Sequence, residues 1–344
     1  MMRRSVWRNP LFLTGFLYLL LLTLASFLYT ILWDDEVRRL YFISENGFPV
    51  ESAPISPKWN FPFGTDPIGL DMLGKILIGA KYTLIISFII AFLRVAISLP
   101  AALVLGTYLQ RFKKSINGTI DSFHYIPLSI LAYFLLHPVL WEPFNGFPTT
   151  MTERIMIEIL VLTLLIVPIL SSLLGNEVSM IYKEEFILSA KVLGASKLRI
   201  IVKHIIPSLK DKLVVLFGQQ IMQTLIIFIH LGLLKLFVGG TDVDYSFVPD
   251  PPQSSTNEWS GLIGDSFRYL QGAPWVPLTP ILFFASAMFA VALMMEGYVR
   301  VTSGHSYYYK KFKEKYKGSV KEEKYVVRGK DFERVMHKDD SMGG

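Results

Sequence analysis

The chain has 344 residues, 52% of them hydrophobic, and a mean hydropathy of +0.42. So apolar a composition excludes an ordinary water-soluble domain and fits a protein that crosses a membrane several times. There is no cysteine, which excludes disulfides and thiolate metal sites, and the formal charge of +6 matters less than where its charges sit.

The chain opens on Arg3, Arg4 and Arg8, then runs apolar from Leu11 to Trp33. That run is long enough to span a bilayer core of ~30 Å, and no Ala-x-Ala pattern precedes Asp34. It reads as a retained anchor, not a cleaved signal. Five more apolar runs follow: Tyr82–Leu109, Ser122–Trp141, Ile155–Leu174, Leu213–Phe237 and Val276–Val299. Each approaches the ~20 residues a helical span requires, and lipid leaves helices as the default because backbone groups must be satisfied internally. Pro100, Pro127, Pro138, Pro168 and Pro280 fall inside these runs and predict kinks.

Lys and Arg set the direction. With the N-terminus in the cytosol, the inner side carries 25 basic residues and the outer side 7, which places both termini inside. The first outer loop, with Arg38, Arg39, Lys58, Lys75 and Lys81, runs against that bias locally. The predicted fold class is an all-α integral membrane protein with six transmembrane helices and both termini cytosolic. The expected divisions are an anchor helix at 1–33, a first extracytoplasmic loop at 34–81, a five-helix core at 82–300, and a basic cytosolic tail at 301–344. That tail mixes cations with aromatics from Tyr307 to Lys317, which suits a solvated segment near anionic headgroups.

In the first loop, Asp66 and Asp71 sit among Gly, Pro and Thr. Paired carboxylates can do acid–base chemistry, but no pocket partner is visible, so loop architecture with Asp66 capping a turn is the expectation. Arg94 lies near the middle of the second span, where a charge is costly unless it faces protein or water. Two readings stand: a contact to an anionic group on a solute in the substrate pathway, or a structural pair with a partner subunit. Asn117-Gly-Thr119 matches a glycosylation acceptor, but the topology puts it in the cytosol, so it reads as chance. His124, His137 and His230 lack i, i+4 spacing and an accompanying carboxylate, and no metal site is expected.

The segment 183–207 is the most telling. Phe186, Ile187, Ala190 and Leu193 fall at helical spacing and predict one apolar face. Gly194 can take the left-handed conformation that ends a helix. Ser196 can cap a second helix running through Ile205, which Pro207 is expected to stop. A short helix with exposed apolar residues suits docking into a groove. An amphipathic helix lying on the membrane face fits the same pattern. Farther on, the third outer loop carries Asp242, Asp244, Asp250, Glu258 and Asp265 against Arg268. It reads as a solvated lid, or as an acidic surface that docks a protein or favours cationic solutes.

The 183–207 hairpin resembles the EAA loop of ABC import permeases. Three further stretches resemble the dipeptide/oligopeptide/nickel class of binding-protein-dependent ABC permeases, in its C-permease subunit. They are Phe61-Pro-Phe-Gly-Thr-Asp-Pro-Ile-Gly-Leu-Asp71 with the amphipathic helix after it, Asn257-Glu-Trp-Ser-Gly-Leu-Ile263, and Ala273-Pro-Trp-Val-Pro-Leu-Thr-Pro280. Four such matches in family order form a specific pattern. The chain departs from it at Leu188, where the family has an acid, at Leu70 in place of Arg, and at Ser260 in place of Gly.

The resemblance implies a type I ABC importer permease fold that moves peptides or similar small solutes by alternating access. It implies coupling to separate ATPases through Phe186, Ile187, Ala190, Leu193, Gly194, Ala195, Leu198, His204 and Pro207. It implies an outer motif of Gly64, Thr65, Asp66, Gly69, Asp71 and Trp259. Its expected partners are a second homologous permease, two ATPase subunits carrying ATP and Mg, an extracytoplasmic substrate-binding lipoprotein and membrane lipids, but no nucleic acid. The chain has no Gly-x-x-x-x-Gly-Lys-[Ser/Thr] phosphate loop, so no cofactor is expected on it and no enzymatic activity of its own. Two other readings remain. One is a membrane scaffold or sensor that kept the permease fold, which the loss of the EAA acid suggests. The other is a membrane-embedded enzyme, for which no nucleophile–base pair is found.

Overall fold

The computed structural model describes residues 6–45, 48–110, 118, 120, 126–247 and 251–302. The chain divides after Val299, and of the part beyond it residues 300–302 are described. Asn117, Thr119, His124, Asp250 and the tail from 303 lie outside the described residues.

Helix α1 (Pro10–Trp33) begins where Asn9 accepts from the Leu11 and Phe12 amides and Pro10 fills the first turn. It ends at Asp34, whose φ of 49° breaks the helical path. A short antiparallel hairpin follows, β1 (Phe42–Glu45) with β2 (Phe48–Ser52). Helix α2 (Met72–Thr107) is capped by Asp71, which accepts from the Leu73 amide at 3.1 Å. The amphipathic helix expected after the first-loop motif and the span expected from Tyr82 are thus one continuous helix, and the expected boundary at 81 falls inside it.

The third run differs from expectation. Its described helix is α3 (Leu128–Leu140), 13 residues or about 20 Å, shorter than the bilayer core. Pro127 opens this helix instead of kinking it, because proline pushes the preceding residue out of helical conformation. The fourth run is two helices, α4 (Met151–Leu164) and α5 (Val167–Ile181). A reciprocal capping box of Thr150 and Glu153 starts α4, and Pro168, with no amide hydrogen for the Leu164 carbonyl, favours the break.

Helix α6 (Glu185–Val192) and α7 (Lys197–Ile200) follow. A π-helical turn, Ile201–Ile205, then runs into α8 (Ile206–Leu233). Pro207 therefore does not stop a helix. It sits in the first turn of α8, and the widened turn before it accommodates its missing amide hydrogen. Two residue pairs, β3 (Thr241–Asp242) and β4 (Gln253–Ser254), close the next loop. Helices α9 (Trp259–Ser266) and α10 (Trp275–Thr302) follow.

Among the described residues, five segments are long and apolar enough to cross a membrane: Pro10–Trp33, Met72–Thr107, Met151–Ile181, Lys197–Leu233 and Trp275–Thr302. Their outward residues include Leu21, Ile31, Phe88, Leu282 and Phe289, all exposed. A surface of that kind is stable in lipid and not in water. The main core gathers Ile76, Ile90, Leu136, Phe228, Trp259 and Phe284. A second cluster, Val178, Ile187, Ile200, Ile205 and Leu209, roots the α6–α7 hairpin.

Candidate functional site

The hairpin reverses at Gly194, whose φ is 82°. The Ala195 amide donates to the Ala190 carbonyl at 3.0 Å and the Gly194 amide to Lys191 at 2.9 Å, the paired bonds of a Schellman stop. Ser196 then caps α7 by accepting from the Arg199 amide at 3.3 Å. Lys191 lies 3.5 Å over the Tyr182 ring and Lys197 4.8 Å over Tyr108, tying the hairpin to the ends of α5 and α2.

The apolar residues of α6 do not form the single buried face expected. Ile187 is 0% exposed and anchors the second cluster, and Ala190 is half-buried. Phe186 stays exposed with its ring 6.2 Å from that of His204. Leu193 is 87% exposed and Val192 89%, with Leu188 and Leu198 also exposed. The reason is length: an eight-residue helix resting on one side chain cannot turn a whole stripe inward. What remains is an apolar knob on a rigid root, flanked by Lys183, Lys191, Lys197 and Arg199. Covering one such Leu or Val is worth about 1.5–3 kcal/mol.

At the other end of the helices, the outer-motif residues meet three strands of sequence that lie far apart. Thr65 accepts from the Ile55 amide at 2.8 Å, and its carbonyl accepts from the Trp275 indole at 3.2 Å. Asp66 accepts from the Ile68 and Leu70 amides at 3.0 and 2.8 Å, as expected of a turn cap. Its other oxygen pairs with Lys75 at 2.9 Å, both side chains nearly buried. Gly64 and Gly69 have φ of 71° and 79°, and a side chain on Gly69 would strike the Leu40 carbonyl. Burial raises the Asp71 carboxyl above its usual range against the bond from Leu73. Trp259 is fully buried and donates from its indole to the Ile76 carbonyl at 2.9 Å, while its amide donates to Thr83 at 3.1 Å.

Glu258 does not belong to an exposed acidic surface. It is buried and caps α9, accepting from the Ser260 amide and hydroxyl at 2.7 Å each, the Gly261 amide at 2.6 Å and the Val238 amide at 3.4 Å. Burial outweighs these bonds and pushes its carboxyl up to about 7. Asp242 and Asp265 are also raised by burial. Asp244 remains on the surface side of the loop, accepting from Ser246.

Arg94 is 0% exposed. Its Nε and Nη2 donate to the Leu162 carbonyl at 3.0 and 2.7 Å, and its Nη1 donates to Thr224 Oγ1 at 2.9 Å. These bonds lie within this chain, and none is to a carboxylate.

Sequence reasoning passed over the grip on the loop after α8. Arg154 donates to the Gly239 carbonyl at 2.7 Å, and Glu158, one turn on, accepts from the Gly239 amide at 3.2 Å. Their i, i+4 spacing was a legible signal; the target was not. The close approach of α8 and α9 was also missed: a Cβ on Gly264 would lie 2.0 Å from the Gly232 carbonyl oxygen. Gly232 and Gly264 are separated by a long loop, so no local pattern joins them.

A helical protein that crosses a membrane several times, with an apolar hairpin between two long helices, is the class that fold and site define. Residues 98–301 match the family described as binding-protein-dependent transport system inner membrane component, and the chain belongs to that family. It is similar to the dipeptide transport system permease protein DppC of Alkalihalophilus pseudofirmus, with 24% identity over 88% of this chain and 86% of that one. It is also similar to the glutathione transport system permease protein GsiD of Shigella dysenteriae, with 23% identity over 74% and 75% of the two chains. With the peptide transport system permease protein SapC of Haemophilus influenzae it shares 26% identity over 64% and 66%.

Proposed function

We propose that this chain is a transmembrane permease subunit of an ATP-driven ABC importer in the cell membrane, moving peptides or similar small solutes by alternating access. The similar proteins named for dipeptide, glutathione and peptide transport support the solute class. In this reading six spans place both termini in the cytosol. The 183–207 hairpin is the coupling element.

The observation that carries the reading is the hairpin itself: Leu188, Val192, Leu193 and Leu198 exposed on a segment whose root, Ile187, is locked between α5 and α8. Separate ATPase chains, holding ATP and Mg, would cover that knob and push it. Force then passes through Ile187, Ile200 and Ile205 into two membrane segments at once. A second homologous permease and an extracytoplasmic binding lipoprotein complete the assembly. The motif residues 64–71 and Trp259 serve as its outer framework.

The test is purification from the native membrane in mild detergent, with identification of what accompanies the chain and uptake of a radiolabelled dipeptide by reconstituted vesicles. The expected result is two ATPase chains, a second permease chain, a lipoprotein, and ATP-dependent uptake. Recovery of the chain alone, with the hairpin open to protease, would favour a scaffold or sensor.

A further inference from the structure

The break between α4 and α5 frees the Leu162 carbonyl. In an unbroken helix it would accept from the Ile166 amide, but that amide bonds to the Thr163 carbonyl at 3.2 Å instead. Arg94 fills the gap with two N–H donors. Ser98, four residues farther on the same face of α2, donates to the Val167 carbonyl at 3.3 Å, beyond the break. One face of α2 thus braces both halves of the fourth span, and the guanidinium sits against the negative end of the α4 dipole. That placement explains how a cation survives at membrane depth without a carboxylate.

The other side of the same cluster is incomplete. Gln220 Oε1 is buried with no partner, and so is Thr163 Oγ1. Gln220 lies one helical turn from Thr224 on α8, and Thr224 holds the third bond from Arg94. A buried acceptor without a donor is unfavourable, and Arg94 has two further N–H groups beyond those engaged. One site therefore holds an occupied acceptor and, one turn away, an empty one.

We infer that Arg94 is the sliding clasp of a hinge in the fourth span. In the state seen here it joins Leu162 to Thr224. In the other state of the transport cycle it exchanges Thr224 for Gln220 Oε1, a shift of ~6 Å along α8. Discrete one-turn shifts of this kind are what packed helices use in place of continuous bending. Arg94 and Gln220 are positioning residues: they set the angle between α4 and α5 and touch no solute. The inference rests on the importer reading, because a second state is needed only if the chain moves.

The chain has no cysteine, so an introduced pair carries no background from this chain. Spin labels at Leu160→Cys and Met180→Cys, on α4 and α5, report the hinge by pulsed electron resonance in the intact purified complex, with and without ATP and Mg. Two distance populations are expected, exchanging with nucleotide. Gln220→Leu removes an atom that makes no bond in this state, so it leaves the resting population unchanged and reduces the nucleotide-driven shift at least fivefold. Gln220→Glu gives Arg94 an ion-pair partner and populates the second distance without nucleotide. Wild-type distributions in both variants would overturn the clasp, as would one fixed distance in a complex that hydrolyses ATP. A complex with no ATPase chain fails the importer reading instead. In that case the nucleotide-free Gln220→Glu measurement still decides: an unchanged distance overturns the clasp, and a shifted one supports it.

Discussion

The two ends of the helices are built on opposite principles. At the loop end, Asp66, Asp71, Trp259 and Glu258 direct their polar atoms at backbone groups and neighbours within the chain. At the hairpin end, Ile187 and Ile200 are buried while Phe186, Leu188, Val192, Leu193 and Leu198 face outward. Residues that recur as a sequence pattern are therefore not all contact residues. The Gly-Thr-Asp motif is a joint that fixes where α2 begins, while the hairpin leaves its large apolar side chains uncovered.

The sharpest way to break this contrast is Trp259→Ala. It opens a cavity in the main core and removes the indole bond to the Ile76 carbonyl, with an expected cost of about 3–5 kcal/mol. Loss of a monodisperse purified chain would show it, and a full-length chain with unchanged Tm would contradict the framework role. Asp66→Ala strands nearly buried Lys75 and frees two amides, at about 3 kcal/mol. Thermal unfolding in detergent measures it, and Asp66→Asn should recover part of the loss by still accepting from Ile68 and Leu70.

The buried Glu258 adds a pH dependence. Its folded value of about 7 stands above the ordinary 4.5, so the folded chain binds more proton than the unfolded one between those values. Its contribution is full below pH 4.5 and is lost as pH rises through 7. Tm should fall across that window, and Glu258→Gln should flatten the slope; parallel slopes in both proteins would remove the assignment.

Effects at the hairpin should be smaller for stability and larger for partnership. Gly194→Ala forces a side chain into a left-handed turn, costing about 1 kcal/mol although the space is open. Leu193→Ala and Val192→Ala should change stability by no more than about 0.5 kcal/mol. The pair should nonetheless strip ATPase chains from the purified complex. Full retention of those chains would make the hairpin a membrane-surface element and end its coupling role.

Composition and apolar runs by themselves determined that this protein crosses a membrane and roughly where, because lipid demands long apolar helices whatever their neighbours. Local chemistry likewise determined the Gly194 reversal, the Ser196 cap and the Asp66 turn, since each depends on residues within a few positions. The sequence misjudged Pro207, which local rules treat as a stop and a π-turn absorbs. It misjudged Glu258, whose burial is set by Val238 and Ser260 folding around it. Only the tertiary structure decided that Arg94 answers the Leu162 carbonyl, that Trp275 reaches Thr65, and that α8 and α9 touch at Gly232 and Gly264. Those contacts join residues up to 210 positions apart, and a carbonyl freed by a broken helix has no signature in the side chains that flank it.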